Sequence, residues 1–542
     1  MSTLLIPGRH LVNTRFQSEY LCTVLGKPPE LIPGVKRGLH LPINPIARVV
    51  FAITSSNQDN SRYNPIPFHI RAIGVDRFAR ELQSSSSFSY RIVGIPHYGH
   101  TANFAAFTLK EIAGQSENAE RLKPEDTIVL CSTPEVIQLY HDLGFSIATA
   151  ELAITPRPAQ PIDLVRKLGE CIGDWATVPF IQLELSAATR TLFQDFPEIP
   201  LRIARIYRDP LTNQEGSLTE KRNYNTYARG MNDIVRLKYR DIQGAIRSGR
   251  IVDEGCADGA LLAEVAQDFR DSDLYGIDLS AEFAARFQER KRSGDFGDVY
   301  TCFYLRNLLD PVFEPDTVDT TICNSTLHEL WSYAEQATTV RNYLAMKFQQ
   351  LRPGGRLIVR DVVGPERGDE DVLLVCEATD GRELNPEQVP ADRPTALLKT
   401  LSTRSRFRLF AVDFLRESRT RRRRGAESKV SFCETEQGYR VTLRTAAEFL
   451  SKKDYADNWL SEMNEEFCFW SFSEWRTALG ETGFRIIESG PQSSFGSRAY
   501  INPWIVEQRY AGHARLAAVD DPSRVIEFPP TNMVLVAEKP PA

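Results

Sequence analysis

Paired cysteines, long apolar runs and a surplus of either charge are all scarce in this sequence. Its 542 residues hold nine cysteines, and no two stand in a Cys-x-x-Cys spacing. That excludes a disulfide scaffold and gives no support to a zinc ribbon or a thioredoxin-type motif; no metal site is expected. No apolar run reaches the roughly 20 residues needed to span a bilayer. The opening residues, MSTLLIPGRH, lack a basic stretch followed by an apolar one, so no secretory signal is evident. A cytoplasmic protein without membrane contact is the expectation. The net charge is −6, which argues against a globally basic nucleic-acid binder but leaves room for a local patch.

What is present is a globular balance, 42% hydrophobic and 25% charged. The length is several times that of a typical domain, so two or more domains are expected. Strand-like apolar runs at 48–53, 90–95 and 127–131 are each followed by a helix-like segment, at 66–82, 102–113 and 134–143. A proline-containing stretch at 155–161 breaks this alternation, and a second one runs from 251 to 363. Such alternation is the mark of α/β layers with parallel sheets. The pattern is poor from 364 to 430, where the chain opens acidic at 368–372 and ends basic, with Arg419 and Arg421 to Arg424. Strand-like runs return at 484–488 and 532–537.

The sharpest signal is RIVDEGCADGALL at 250–262. An apolar strand runs into Asp253, then Gly255 and Gly259, then a helix-forming segment. Glycine permits the sharp turn and the close approach of a ligand to bare backbone, and the helix start offers free N–H groups. Dinucleotide-binding sheets begin the same way. The next strand ends in Asp278, placed to accept hydrogen bonds from ribose hydroxyls. A fourth strand, 318–324, runs into SerThrLeuHisGluLeu, and ProGlyGly at 353–355 opens a fifth that ends near Asp361.

This ordered set resembles the class I S-adenosylmethionine-dependent methyltransferases. The resemblance covers about 236–363, and 473–484 and 532–537 look like the helix before the sixth strand and the seventh strand. It implies S-adenosyl-L-methionine as cofactor, with Asp253, Gly255, Cys256 and Gly259 under its methionine and ribose parts. Asp278 would hold the ribose hydroxyls, Asn307 would sit beside the adenine, and Asn324 would face the methionine end and the acceptor. Ala257 stands where a second glycine is usual, and Asn307 where an acidic residue is common. Methyl transfer needs a base only for a protonated acceptor. His328 and Glu329, just after the fourth strand, and Asp361 at the end of the fifth are the candidate catalytic residues. The resemblance implies an oxygen or nitrogen acceptor.

Some hundred residues then separate strand five from its helix, so 364–471 is expected to form an insertion or lid over the acceptor. Tyr455 and Trp459 in it suggest a helix packed on a core, or an aromatic acceptor pocket. Arg419–Arg424 suggests phosphate or RNA binding, or a solvated loop.

The first 200 residues need a separate account. GlyArg at 8–9, followed by Thr14 and Gln17, resembles the start of the HxGH nucleotidyltransferases, nearest to the archaeal-type nicotinamide-mononucleotide adenylyltransferases. Thr14 and Gln17 take the two histidine positions, and Phe16 replaces the glycine. Ser186 and Arg190 fit that family's SerxThrxxArg phosphate motif, and His97 and His100 would line the same cleft. An ATP-like nucleotide is the implied ligand. The losses of charge and of glycine argue against strong adenylyl transfer.

The expected fold is α/β with two Rossmann-like domains, the second a seven-stranded methyltransferase sheet with a long insertion after strand five. The expected divisions are 1–200, a linker and lead-in helix at 201–235, a cofactor-binding core at 236–363, the insertion at 364–471, and the rest of the methyltransferase sheet at 472–542. The expected acceptor is a small or nucleotide-bearing molecule. The competing expectations are a nucleotide- or RNA-binding protein with a degenerate transferase domain, and a dinucleotide-dependent oxidoreductase.

Overall fold

The computed structural model describes residues 2–99, 101–171, 174–209, 214, 234–416, 430–488 and 495–541. The chain divides into two compact units, Met1–Ser217 and Leu218–Ala542. Arg419–Arg424 and His100 lie outside the described residues.

The first unit is built on a six-stranded sheet. Its strands are β1 (Ser2–Gly8), β2 (Val35–Lys36), β3 (Ile46–Thr54), β4 (Ser89–Ile95), β5 (Thr127–Leu130) and β6 (Ser146–Ala148), in the order β2-β6-β5-β1-β3-β4. All neighbours are parallel except β2 on β6. A parallel sheet is covered on both faces, so its strands read as continuous apolar runs. In β3, Val49, Phe51 and Ile53 enter one apolar cluster, and Val50 and Ala52 enter another on the opposite face. That is the two-residue period of a strand. The strand order reverses between β1 and β5, the place where doubly wound sheets open a crevice. Buried Arg71 fastens the loops there, donating to the carbonyls of Arg9, Thr54 and Ser55 at 2.8–2.9 Å.

The second unit holds β7 (Arg250–Glu254), β8 (Asp273–Asp278), β9 (Thr301–Leu305), β10 (Val318–Asn324) and β11 (Leu351–Val362), all parallel. Further along come β12 (Asp371–Cys376), β13 (Cys433–Thr435), β14 (Gly438–Thr442), β15 (Arg485–Ile486), β16 (Arg498–Tyr500), β17 (Ala514–Ala517), β18 (Val525–Ile526) and β19 (Asn532–Glu538). The main sheet runs β15-β19-β11-β10-β7-β8-β9, with β19 antiparallel to β11 and β15. These are the seven expected strands; short β16 adds an eighth beside β19. Leu357 and Val359 pack into the core on one face of β11 and Ile358 into that on the other.

The chain leaves this sheet at Gly364 and returns at Ser471, where the two form a bridge. Between them β12, β13 and β14 begin a second, antiparallel sheet of order β13-β14-β12-β17-β18. Its last two strands come from 514–526, so the segment 472–542 does not all return to the main sheet. The insertion is built from two stretches of chain around one apolar core, to which Leu374, Phe407, Phe410, Tyr439, Phe449, Trp459 and Leu516 contribute. Trp459 is buried there and donates its indole N–H to Asp413 at 2.9 Å. Among the described residues no helix is long and apolar enough to cross a membrane.

Candidate active site

The turn after β7 is set by backbone geometry. Gly255 and Gly259 have φ of +73° and +82°, where a side chain is strained. A Cβ on Gly255 would lie 2.3 Å from the Thr326 hydroxyl oxygen, and one on Gly259 2.5 Å from the Phe287 ring. Both glycines are therefore fixed by conformation and by contact. Ala257 also takes a left-handed φ, +47°, and its backbone N–H donates to Asp278 Oδ2 at 3.0 Å. Asp278 Oδ1 accepts from the Ser280 N–H at 2.9 Å. Each carboxylate oxygen keeps further accepting capacity. Burial pushes the Asp278 carboxyl up to about 6.

Asp253, at the end of β7, is buried. Desolvation, with the charges of Asp278 and Glu254 beside it, pushes its carboxyl up to about 8. The Cys256 side chain packs back onto β8 close to Gly276, and burial pushes its thiol up. Asn307 is buried after β9, its amide oxygen accepting the Leu309 N–H at 3.0 Å. Asn324 closes β10 and accepts from the Ser325 hydroxyl at 3.3 Å.

His328 begins the helix Leu327–Tyr333 that follows β10. Its Nδ1 lies 2.8 Å from Asp361 Oδ1, at the end of β11. Asp361 Oδ2 accepts the Leu327 N–H at 2.9 Å. The other ring nitrogen, Nε2, lies 3.4 Å from Glu465 Oε2 of the insertion. Burial opposes charge on this ring, but Asp361 and Glu465 outweigh it and hold the imidazole well above its ordinary pKa. Burial likewise works against the Asp361 charge, and His328 and the backbone N–H groups hold that carboxyl below its ordinary range. Glu329 is partly exposed, and its charge acts on Asp278.

Two contributors escape sequence reasoning. Lys238, on the lead-in helix Val235–Ile242, is buried with its Nζ 3.4 Å from the Ser325 hydroxyl. Desolvation, then the charge of Arg360, lowers it to about 7. Glu465 comes from the acidic, aromatic stretch at 452–470, where nothing in the local pattern separates it from Glu462 or Glu466.

In the first unit a cleft of about 240 Å³ opens at the reversal point, lined by Gly8, Arg9, His10, Gln17, Ser132 and Glu151 among others. Most of the residues expected there are engaged elsewhere. Thr14 caps the helix Arg15–Val24 in a capping box: its hydroxyl accepts the Gln17 N–H, and the Gln17 side chain accepts the Thr14 N–H. Ser186 caps the helix Ala187–Asp195 and is buried. Arg190 donates to the carbonyls of Gln182 and Leu185. His97 is exposed, its ring 3.2 Å from the Ser55 hydroxyl. Gln17 alone of these lines the cleft, and its amide reaches Glu151 at 3.4 Å.

Residues 252–357 match a family model described as a methyltransferase domain. Over these residues, β7 to the body of β11, the second unit is thus similar to methyltransferase domains. No curated protein matches the chain. Solved structures that resemble it include a candidate O-methyltransferase from Nostoc punctiforme, 13% identical with a TM-score of 0.29, covering 58% of this chain and 60% of that one. A methyltransferase dependent on the same cofactor from Methanosarcina mazei is 13% identical with a TM-score of 0.29, over 56% of this chain and 97% of that one. Geranyl diphosphate C-methyltransferase from Streptomyces coelicolor is 11% identical with a TM-score of 0.28, over 61% and 89%. The chain spans about three fifths of the Nostoc protein's length. These likenesses are too loose to bear on substrate.

Proposed function

We propose that the second unit transfers a methyl group from S-adenosylmethionine to an oxygen or nitrogen atom of a small-molecule acceptor. The convergence of the Gly255–Gly259 turn, Asp278, Asn324 and the His328–Asp361 pair at the carboxyl ends of β7, β8, β10 and β11 carries this assignment. Ligands of open α/β sheets bind outside those strand ends.

The residues present fit the cofactor. The turn keeps its backbone bare at two left-handed glycines. Asp278 holds two backbone N–H groups and still has lone pairs for a diol. When bound, S-adenosylmethionine supplies an activated methyl group. The chain's part is to align the acceptor, which accounts for much of the rate in such transfers. Asp361 and Glu465 hold the His328 ring in place at the acceptor end, and partly exposed Glu329 beside it receives the proton of the acceptor's hydroxyl or amine.

Calorimetric titration of the full chain tests this. S-adenosylmethionine should bind and Asp278→Ala should weaken it; a nicotinamide dinucleotide that binds in its place would favour the oxidoreductase alternative. Mass spectrometry of cell extract incubated with labelled cofactor then identifies the methylated species.

For the first unit we infer a small-ligand cleft at the reversal point, with a nucleotide as the ligand class and without adenylyl transfer. The Thr14–Gln17 capping box supports this, since those side chains serve the helix start and bring no positive charge. Incubation with ATP and nicotinamide mononucleotide should yield no dinucleotide; its formation would refute the inference.

A further inference from the structure

We propose that His328, Glu329 and Glu465 bind one divalent transition-metal ion at the acceptor end of the site. This deepens the methyltransferase assignment and rests on it for the role of the ion, though not for its binding.

One ligand atom from each of the three side chains lies within 4.8 Å of the others. The gap between His328 Nε2 and Glu465 Oε2 is 3.4 Å. A charge-assisted hydrogen bond is shorter, about 2.7–2.9 Å. Two ligands held about 2.1 Å from one ion in tetrahedral geometry stand about 3.4 Å apart. In the metal-free protein the two groups form a long ion pair, and its separation equals the edge of a coordination polyhedron.

The surroundings orient both groups. The nitrogen turned away, Nδ1, is bound to Asp361 Oδ1 at 2.8 Å. Metal-ligating histidines characteristically give their second nitrogen to a carboxylate, which fixes the ring and its tautomer. Asp361 is in turn held by the Leu327 N–H. The oxygen of Glu465 turned away, Oε1, accepts the Tyr333 hydroxyl at 3.0 Å, which directs Oε2 towards the ring. His328 and Glu465 are 7% and 1% exposed, whereas Glu329 is partly open. A site with three protein ligands and an open side leaves room for water or substrate.

One imidazole and two carboxylates suit Mn²⁺, Fe²⁺ or Zn²⁺, and balance a divalent charge. On binding, the ion takes the place of the proton between Nε2 and Oε2. The acceptor would then be a molecule whose hydroxyl or amine ligates the ion beside the methyl donor. The third ligand comes from the insertion, so the main sheet alone does not complete the site.

The test titrates Mn²⁺ into chelator-treated full-length protein, read by calorimetry and by loss of the free-ion paramagnetic resonance signal. One ion per chain is expected, with affinity falling at least tenfold in Glu329→Gln and in Glu465→Gln. Should buried Glu465→Gln fail to fold, partly exposed Glu329→Gln decides. No uptake of Mn²⁺ or Zn²⁺ by the wild type, or uptake unchanged in Glu329→Gln, overturns the proposal. S-adenosylmethionine binding is measured on the same samples. Mn²⁺ uptake without cofactor binding would sink the methyltransferase assignment and leave the metal site standing; cofactor binding without uptake would do the reverse.

Discussion

Asp361 holds His328 and the residue before it: Oδ1 lies 2.8 Å from the His328 ring Nδ1, and Oδ2 accepts the N–H of Leu327. One carboxylate at the end of β11 therefore sets both the ring and the start of the helix that carries it. Asp361→Asn keeps the size but loses the charge. It should lower kcat by about 10²-fold or more, the range seen when acid–base groups are misplaced. The dissociation constant for S-adenosylmethionine should move little, because Asp361 acts through His328. A fall in cofactor affinity as large as the fall in kcat would show that Asp361 serves only to hold the fold.

Asp278 should govern cofactor affinity and its pH dependence. Hydrogen bonds to a charged group contribute about 1.5–3 kcal/mol each, so Asp278→Ala should weaken binding by roughly 10- to 100-fold. Burial raises this carboxyl to about 6 from an ordinary 3.8. The charged form is thus lost as pH falls through 6. Affinity measured by calorimetry between pH 8 and 5 should decline below about 6. A flat profile down to pH 4.5 would contradict the role.

Much of the main sheet is legible in the sequence because its parallel strands are buried on both faces and appear as apolar runs ending in Asp253, Asp278 and Asn324. The second sheet is not legible, since β17 and β18 have four and two residues, β17 joins β12 from more than 130 residues away, and β18 pairs with β17. In the first unit, Thr14-x-x-Gln17 fits two patterns. It matches a degenerate catalytic tetrad, and it also matches the capping box that the backbone forms. Glu465 and Lys238 reach the site through tertiary packing, which no periodicity encodes.

Beneath the site, Glu254 is buried with Lys347 and Tyr343, which both donate to its carboxylate. Removing one partner of a buried ion pair leaves the other charge without compensation and costs about 3–5 kcal/mol. Lys347→Met should destabilise the second unit by that amount in urea unfolding. Pairing it with Glu254→Leu should recover much of the loss, since two apolar groups leave no stranded charge. If the double variant is less stable than Lys347→Met, the pair does not act as a unit.

His10 should make the first unit acid-sensitive. Its ring lies behind β1, with Nε2 3.0 Å from the carbonyl of Ile6. Burial, with a smaller effect of the Arg71 charge, lowers it to about 4 from an ordinary 6.5. The folded state therefore holds the ring neutral, while the unfolded chain takes up a proton below about 6.5. Between these values the unfolded state binds more protons, so stability rises with pH and is lost as pH falls from 6.5 towards 4. Trp175 is the sole tryptophan before residue 218 and reports on this unit. The difference in urea midpoint between wild type and His10→Gln, followed through the transition that includes Trp175, should shrink or reverse from pH 7.5 to pH 5. A difference that stays constant over that range would show that the ring does not titrate on unfolding.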